Sequence, residues 1–412
     1  MLTRRSVQHF VVYTTRGDSV SFHRRDLEVA RHRCDAIVHN ISLLSRRKRT
    51  MKVTHVKTRV IQTPADSPLV VGIPVGNATR EFVTLELGTD AGIEGIGLTF
   101  FGGPLTVALK EAVDALGALT IGANPLHVEA IVAKLRQAAS GAGPGGIFTL
   151  ALSAIDIALW DIKGKALEQP ICALLGGHRD RVPTYASGAL MRPHPVDYLS
   201  AAGPRLVNMG FKQMKMQLGA EPTVAREVER VRILRHVLGD DIDLMCDINQ
   251  LWDVNQAIDI GRRVEQYHLY WLEDVVAHDD YQGLARVADA LTTPIAAGEY
   301  HYGIRPFRHM LEARSIDIVM IDLLRAGGIT QWMKIAGMAE AFNVPVVSHL
   351  IPEIHVHLVA AIPHGLTVEY MPWTLRLFEE TPAIEDGKIV VPQKPGLGLQ
   401  FDAAVLKQYQ IS

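Results

Sequence analysis

Three short apolar runs in the middle of the chain each end in an acid. Residues 242–246 lead to Asp247, 270–272 to Glu273, and 294–298 to Glu299. Neighbouring acids are 26 residues apart both times. A strand, a helix and two short loops take about that much chain. The spacing therefore predicts a carboxylate at the same point of three successive strand–helix units. In a closed parallel barrel, equivalent strand ends converge on one rim, where such folds build their sites. Three acids gathered there repel one another unless a cation sits among them. A divalent metal site is the expectation, and with it an enzyme.

The rest of the chain fits that frame. Strand candidates fall at 182–187, 212–217, 243–247, 269–273, 294–298, 317–321, 345–348 and 366–369. From the second strand on, the stretches between them are mostly helical in pattern, as at 224–237 and 332–342. Eight such units predict an α/β fold with a (β/α) TIM-type barrel over 182–371. Upstream, residues 51–177 read as a small α+β domain. Its strands are at 53–61, 81–87 and 96–100, and its helices at 105–117, 127–138 and 150–165. The Gly-rich stretch 139–147 lacks the Lys-Ser/Thr ending of a phosphate loop and has no strand before it, so it is expected to lead into the next helix. Residues 372–412 are expected to return and pack on the N-terminal domain.

Composition narrows the function classes. Hydrophobic residues make up 48% and charged residues 21%, as in a globular chain with a large core. No apolar run is long enough to span a bilayer. Cys34, Cys172 and Cys246 are scattered and odd in number, so no disulfide framework is expected and a cytoplasmic setting is. Residues 1–50 carry 11 Lys/Arg against 4 Asp/Glu, which leaves the remainder net acidic and unlike a nucleic-acid binder. That basic segment is read as a disordered or non-native extension ahead of Met51. A targeting segment or a regulatory arm is the alternative, and 22–45 could form a helix.

Further residues at predicted strand ends carry chemistry. Gln213, Lys215 and Gln217 share one strand face, so Lys215 and Gln217 point towards the rim. A lysine there can bind a substrate carboxylate or act as a base. Asn249 follows Asp247 by two residues. The oxygen-only set Asp247, Glu273 and Glu299 indicates a hard cation, Mg²⁺ before Mn²⁺; singly, each acid could equally cap a helix. Asp322 ends the sixth run and His349 the seventh, an arrangement that orients an imidazole as general base. Glu369 ends the eighth; protonated, it could donate to a developing oxyanion. His301, two residues after Glu299, is the extra histidine expected to line the pocket. His355, His357 and His364 are expected to be structural.

These residues resemble the enolase superfamily, and within it the mandelate racemase/muconate lactonizing enzyme family and its mandelate racemase subgroup. The resemblance covers essentially everything from Met51 on. It rests on the helix Ser153-Ala154-Ile155-Asp156-Ile157-Ala158-Leu159-Trp160-Asp161 with Gly164-Lys165, and on Leu174-Leu175-Gly176-Gly177. It rests also on Cys246-Asp247-Ile248-Asn249-Gln250, Trp271-Leu272-Glu273-Asp274, Gly298-Glu299, Asp322 with Gly327-Gly328, Ser348-His349, and Glu369 twenty residues later. The resemblance implies a modified (β/α)7β barrel under a capping domain completed by the C-terminal segment. It implies Mg²⁺ at Asp247, Glu273 and Glu299, holding a substrate carboxylate and stabilising the enediolate left when the α-proton departs. It implies cap loops near 64–78 and 97–104 that close over a small-molecule substrate, and a homo-oligomer.

One position departs from the family pattern. Where the family carries Lys-x-Lys, this chain has Lys215-Met216-Gln217. Gln217 cannot take a proton at neutral pH. Bases on both faces of an α-carbon, as two-base racemisation needs, are therefore not expected; only the His349 face is retained. That favours dehydration of an acid sugar, an aldonate or aldarate, to a 2-keto-3-deoxy acid. Lys215 would assist the carboxylate and Gln217 would bond a hydroxyl. A racemase, epimerase or cycloisomerase, with Lys215 or His301 as substitute base, is the alternative. A relative that kept the barrel and only binds is the non-enzyme reading.

Overall fold

The computed structural model describes residues 10–13, 19–22, 51–74 and 76–412. Met1–Met51 and Lys52–Ser412 are separate compact units. In the first, β1 (Phe10–Tyr13) and β2 (Ser19–Phe22) pair antiparallel. The helix considered over 22–45 falls, from residue 23 on, outside the described residues.

In the second unit, β3 (Val53–Pro64), β4 (Thr79–Thr89) and β5 (Glu94–Thr99) form an antiparallel meander. Helices Thr106–Ala118, Val128–Ala138 and Gly146–Ala166 complete this cap. The Gly-rich stretch leads directly into the third helix. That helix is buried nearly all round and lies so close on β5 that a Cβ at Gly97 would stand 2.0 Å from Ala154 O. Its acids reach outward to other layers. Asp161 accepts from Ile96 N and from Leu397 N, and Asp156 accepts from Thr330 N at the start of helix Ile329–Ala341.

The barrel follows as β6 (Arg181–Leu190), β7 (Gln213–Gln217), β8 (Asp243–Asp247), β9 (Trp271–Glu273), β10 (Ile295–Ala297), β11 (Ile318–Asp322), β12 (Val346–His349) and β13 (Val368–Tyr370). Strands β6 to β12 pair in parallel with their sequence neighbours, and β13 pairs in parallel with β6. The bridge between Val346 and Gly365 closes the ring. Helices follow the first seven strands, whereas β13 is followed only by a short 3-10 turn at Leu375–Leu377. The eight strands expected from sequence are all present, displaced by a few residues at most. Two short strands, β14 (Ile384–Glu385) and β15 (Lys388–Val390), add antiparallel to β6 outside the ring. The C-terminus runs back to the cap, where Ile411 N donates to Val60 O and Val60 N to Ser412 O.

Candidate active site

Six strands send seven apolar side chains into the barrel: Tyr185, Met245, Trp271, Ala296, Ile318 and Met320 (both on β11), and Val347. Tyr185 meets Trp271 edge to face at 5.4 Å. Side chains alternate along a strand, so the next inward position lies two residues on. From Met245, Trp271, Met320 and Val347 that step gives Asp247, Glu273, Asp322 and His349. An apolar floor thus has a polar tier directly above it. Register aligns the tier: Gln217, Asp247 and Glu273 lie side by side, as do Asp322 and His349.

Glu299 reaches the same place differently. Its strand neighbour at the level of Glu273 is Ala296, not Glu299. Equal spacing in sequence is therefore not equal level in the barrel for the third acid. Gly298 makes up the difference, with φ of 136°. A Cβ there would stand 2.4 Å from Met320 O, so the turn requires glycine.

Lys215 is the hub of the acids. Its Nζ lies 2.6 Å from Glu273 Oε1, 2.8 Å from Glu369 Oε1 and 4.0 Å from Asp247 Oδ2. Glu273 Oε2 also accepts from Trp271 Nε1 at 2.9 Å, and Glu369 Oε2 from Leu350 N at 2.7 Å. Burial opposes the lysine's charge, but Glu273 and Glu369 outweigh it and hold its pKa well above the usual value. The acids beside it thus hold Lys215 as a cation, and a cation there can meet a substrate carboxylate. Glu369 is shifted by the same neighbours. Burial raises its pKa, yet Lys215, His349 and Leu350 N bring it down to about 2. That favours the ionised form, whereas donation to an oxyanion needs the protonated one.

His349 Nδ1 bonds Asp322 Oδ2 at 2.7 Å, and Nε2 lies 3.0 Å from Glu299 Oε2. Asp322 is itself held by Arg325 N at 2.7 Å. Burial works against the imidazolium, but Glu299 and Asp322 raise the His349 pKa well above its usual value. Gln217 Nε2 lies 3.1 Å from Asn249 Oδ1 and 3.5 Å from Asp247 Oδ2. Asn249 donates its own amide to Tyr300 OH at 3.3 Å. His301 is the outlier of the expected set. Its ring packs among His278, Tyr281 and Phe307, and its Nε2 has no partner. Burial lowers its pKa to about 4. A ring that packs among aromatic side chains and bonds none of the acids is poorly placed for a substitute base.

Several residues at the site were not foreseen. Arg192 donates to Asn249 Oδ1 at 2.5 Å and to Leu218 O at 2.8 Å. Arg325 donates to Glu299 O at 2.8 Å. The cap contributes Phe101, whose ring lies parallel to His349 at 6.3 Å and under the Arg325 guanidinium at 4.1 Å. Asp274, immediately after Glu273, is buried and its carboxylate oxygens have no hydrogen-bond partner.

Charge decides what this arrangement can hold. Asp247, Glu273, Asp274, Glu299, Asp322 and Glu369 are all buried, against Lys215, Arg192, Arg325 and one imidazole. Burial, with repulsion from the other acids adding to it, pushes Asp247 up to about 6 and Glu273 up to about 8. Ligand oxygens of Glu273, Asp274 and Glu299 lie within 4.8 Å of one another. Oxygens on opposite sides of one hard cation are separated by roughly 4–5 Å, twice the metal–oxygen distance. An oxygen-only set with spare negative charge and unpartnered lone pairs fits a divalent hard cation.

Comparison with known proteins agrees with this chemistry. Residues 53–176 match the family described as mandelate racemase/muconate lactonizing enzyme, N-terminal domain, and residues 198–405 match the enolase C-terminal domain-like family. L-talarate/galactarate dehydratase of Salmonella typhimurium is 32% identical over 357 residues, covering 85% of this chain and 88% of that protein. 3,6-anhydro-alpha-L-galactonate cycloisomerase of Streptomyces coelicolor is 33% identical over 353 residues, covering 85% and 97%. Among solved structures, L-talarate dehydratase of a Polaromonas species, complexed with Mg and L-glucarate, is similar with a TM-score of 0.81 at 32% identity, covering 88% of this chain and 98% of that one.

Proposed function

The chain belongs to the mandelate racemase/muconate lactonizing enzyme family, and on that premise we propose that it is a Mg²⁺-dependent sugar-acid dehydratase. It takes an aldonate or aldarate to a 2-keto-3-deoxy acid. The observation that carries this reading is the one-sided proton equipment. On β12, His349 has a carboxylate on each ring nitrogen. On β7, across the barrel, stands Gln217, an amide engaged with Asn249.

Asp247, Glu273 and Glu299 would hold the ion, which when bound supplies positive charge to the carboxylate of the substrate. The chain's own groups do the rest. Lys215 stands as a fixed cation for the same carboxylate. The Asp322 bond to Nδ1 leaves Nε2 as the nitrogen that exchanges protons. Nε2 takes the α-proton as the C–H bond breaks. The flanking carboxylates stabilise the imidazolium so formed. It then returns that proton to the β-hydroxyl as the C–O bond breaks, so water leaves and the enol relaxes to the ketone. Gln217, Asn249 and Arg192 are placed to hydrogen-bond hydroxyls. Phe101 and Arg325 cover the His349 side, where they exclude water. We place this activity in a cytoplasmic homo-oligomer.

The cycloisomerase among the relatives supports a second reading, because ring opening or closure of a sugar acid begins with the same α-proton transfer. The two separate in one assay. The full chain with Mg²⁺ is incubated in D₂O with a panel of aldonic and aldaric acids. Formation of 2-keto-3-deoxy acids, captured as semicarbazones, is the expected result. Deuterium exchange without elimination would instead assign the isomerase.

A further inference from the structure

Asp274 has no work within the protein alone. It is 1% exposed, and both carboxylate oxygens are buried without a hydrogen-bond partner. It makes no ion pair among the described residues. It is not a helix cap: the following helix, Tyr281–Ala290, is capped by Asp280, whose side chain accepts from Gly283 N. A buried ionised carboxylate without a partner costs several kcal/mol, so this acid either keeps a proton or meets a cation from outside the chain.

Strand alternation would turn Asp274 away from Glu273, to the outside of the barrel. The backbone does not allow that. Asp274 has φ of 45°, the left-handed region that L residues adopt only under constraint. Two backbone bonds pin it there: its N–H donates to Ala296 O at 3.0 Å, and its carbonyl accepts from Gln250 N at 2.6 Å. The result brings a carboxylate oxygen within 4.8 Å of ligand oxygens of both Glu273 and Glu299.

We infer that Asp274 is a cation-binding residue of this site, its carboxylate facing the ion either as a direct ligand or through one of the ion's own waters. This rests on the Mg²⁺-dependent reading above. It adds a fourth carboxylate to Asp247, Glu273 and Glu299, and it accounts for an acid that folding alone disfavours. Mg²⁺ commonly keeps several waters, so an acid just beyond its direct ligands has donors to receive.

Titration calorimetry of the full chain with Mg²⁺ alone, wild type against Asp274→Asn, tests the inference. The expected result is a dissociation constant raised at least tenfold, as for loss of an outer partner of a metal site. The melting temperature of the metal-free variant should hold or rise, because an uncompensated buried charge is gone. Equal Mg²⁺ affinity within twofold would overturn the inference and leave the dehydratase proposal standing. No Mg²⁺ binding by wild type would overturn both. If Asp274→Asn does not fold, a structure of the wild-type chain soaked with Mn²⁺ decides. Manganese within about 4.5 Å of the Asp274 carboxylate, direct or one water away, supports the inference, and a larger separation overturns it.

Discussion

His349 has a carboxylate on each ring nitrogen, and only one of the two is also fixed by its own backbone bond. Asp322 is held by Arg325 N, so it sets the ring's orientation and tautomer. Asp322→Asn should therefore lower kcat by on the order of 10²-fold or more, with KM little changed, in steady-state assays on whichever acid of the panel turns over. An equal loss confined to KM would mean that Asp322 serves binding. At this scale, strand parity and spacing made most of the site legible. Lys215, Asp247, Glu273, Asp322 and His349 all lie where an inward position at a strand end should. Asp274 and Glu299 were hidden or misjudged for a single reason. Each depends on a residue with positive φ, 45° at Asp274 itself and 136° at Gly298, which resets parity. Phe101 lies in the cap loop near 97–104 that the resemblance implied would cover the substrate, and only the three-dimensional structure shows that it is this residue that faces His349.

At the scale of elements, the helix Pro352–Ala361 is tied to the segment after β13 by one buried acid. Glu353 is fully buried, and the Thr374 hydroxyl donates to its carboxylate at 2.9 Å. Burial, only partly offset by its own backbone N–H and Thr374, raises its pKa to about 7 from the usual 4.5. Between those values the unfolded chain has released this proton and the folded chain keeps it. Stability from this group is therefore highest below about pH 4.5 and falls as pH rises towards 7, then stays level. Glu353→Gln keeps an acceptor for Thr374 and removes the charge. Thermal melts should show it more stable than wild type at pH 8, by up to about 3 kcal/mol, with no difference at pH 4. A variant less stable at both pH values would mean that the carboxylate is needed for packing. The barrel strands were legible because each βα unit repeats an apolar run and a helical stretch. β14 and β15 were not, since these strands of two and three residues lie beyond the last βα unit and no repeat frames them.

At the scale of the molecule, cap and barrel are joined through the helix Gly146–Ala166. Asp156 accepts from Thr330 N, Trp160 Nε1 donates to Thr330 Oγ1 at 2.9 Å, and Asp161 accepts from Leu397 N in the return segment. The C-terminus pairs with β3 of the cap. Every side chain invoked in the proposed reaction belongs to Lys52–Ser412, which is a compact unit by itself. A chain starting at Met51 should therefore unfold in one transition and keep full turnover and Mg²⁺ dependence; loss of activity on trimming would give residues 1–50 a catalytic or assembly role. In the proposed reaction one imidazole, His349, moves the α-proton, and no base stands at Gln217. Its most direct test compares wild type, His349→Asn and Gln217→Ala for α-deuterium exchange and 2-keto-3-deoxy acid formation, with Mg²⁺ in D₂O. The prediction is that His349→Asn loses both, by a factor of at least 10², while still binding Mg²⁺, and that Gln217→Ala, which loses a hydroxyl contact, has a raised KM but still carries out both. An active His349→Asn beside a dead Gln217→Ala would contradict it.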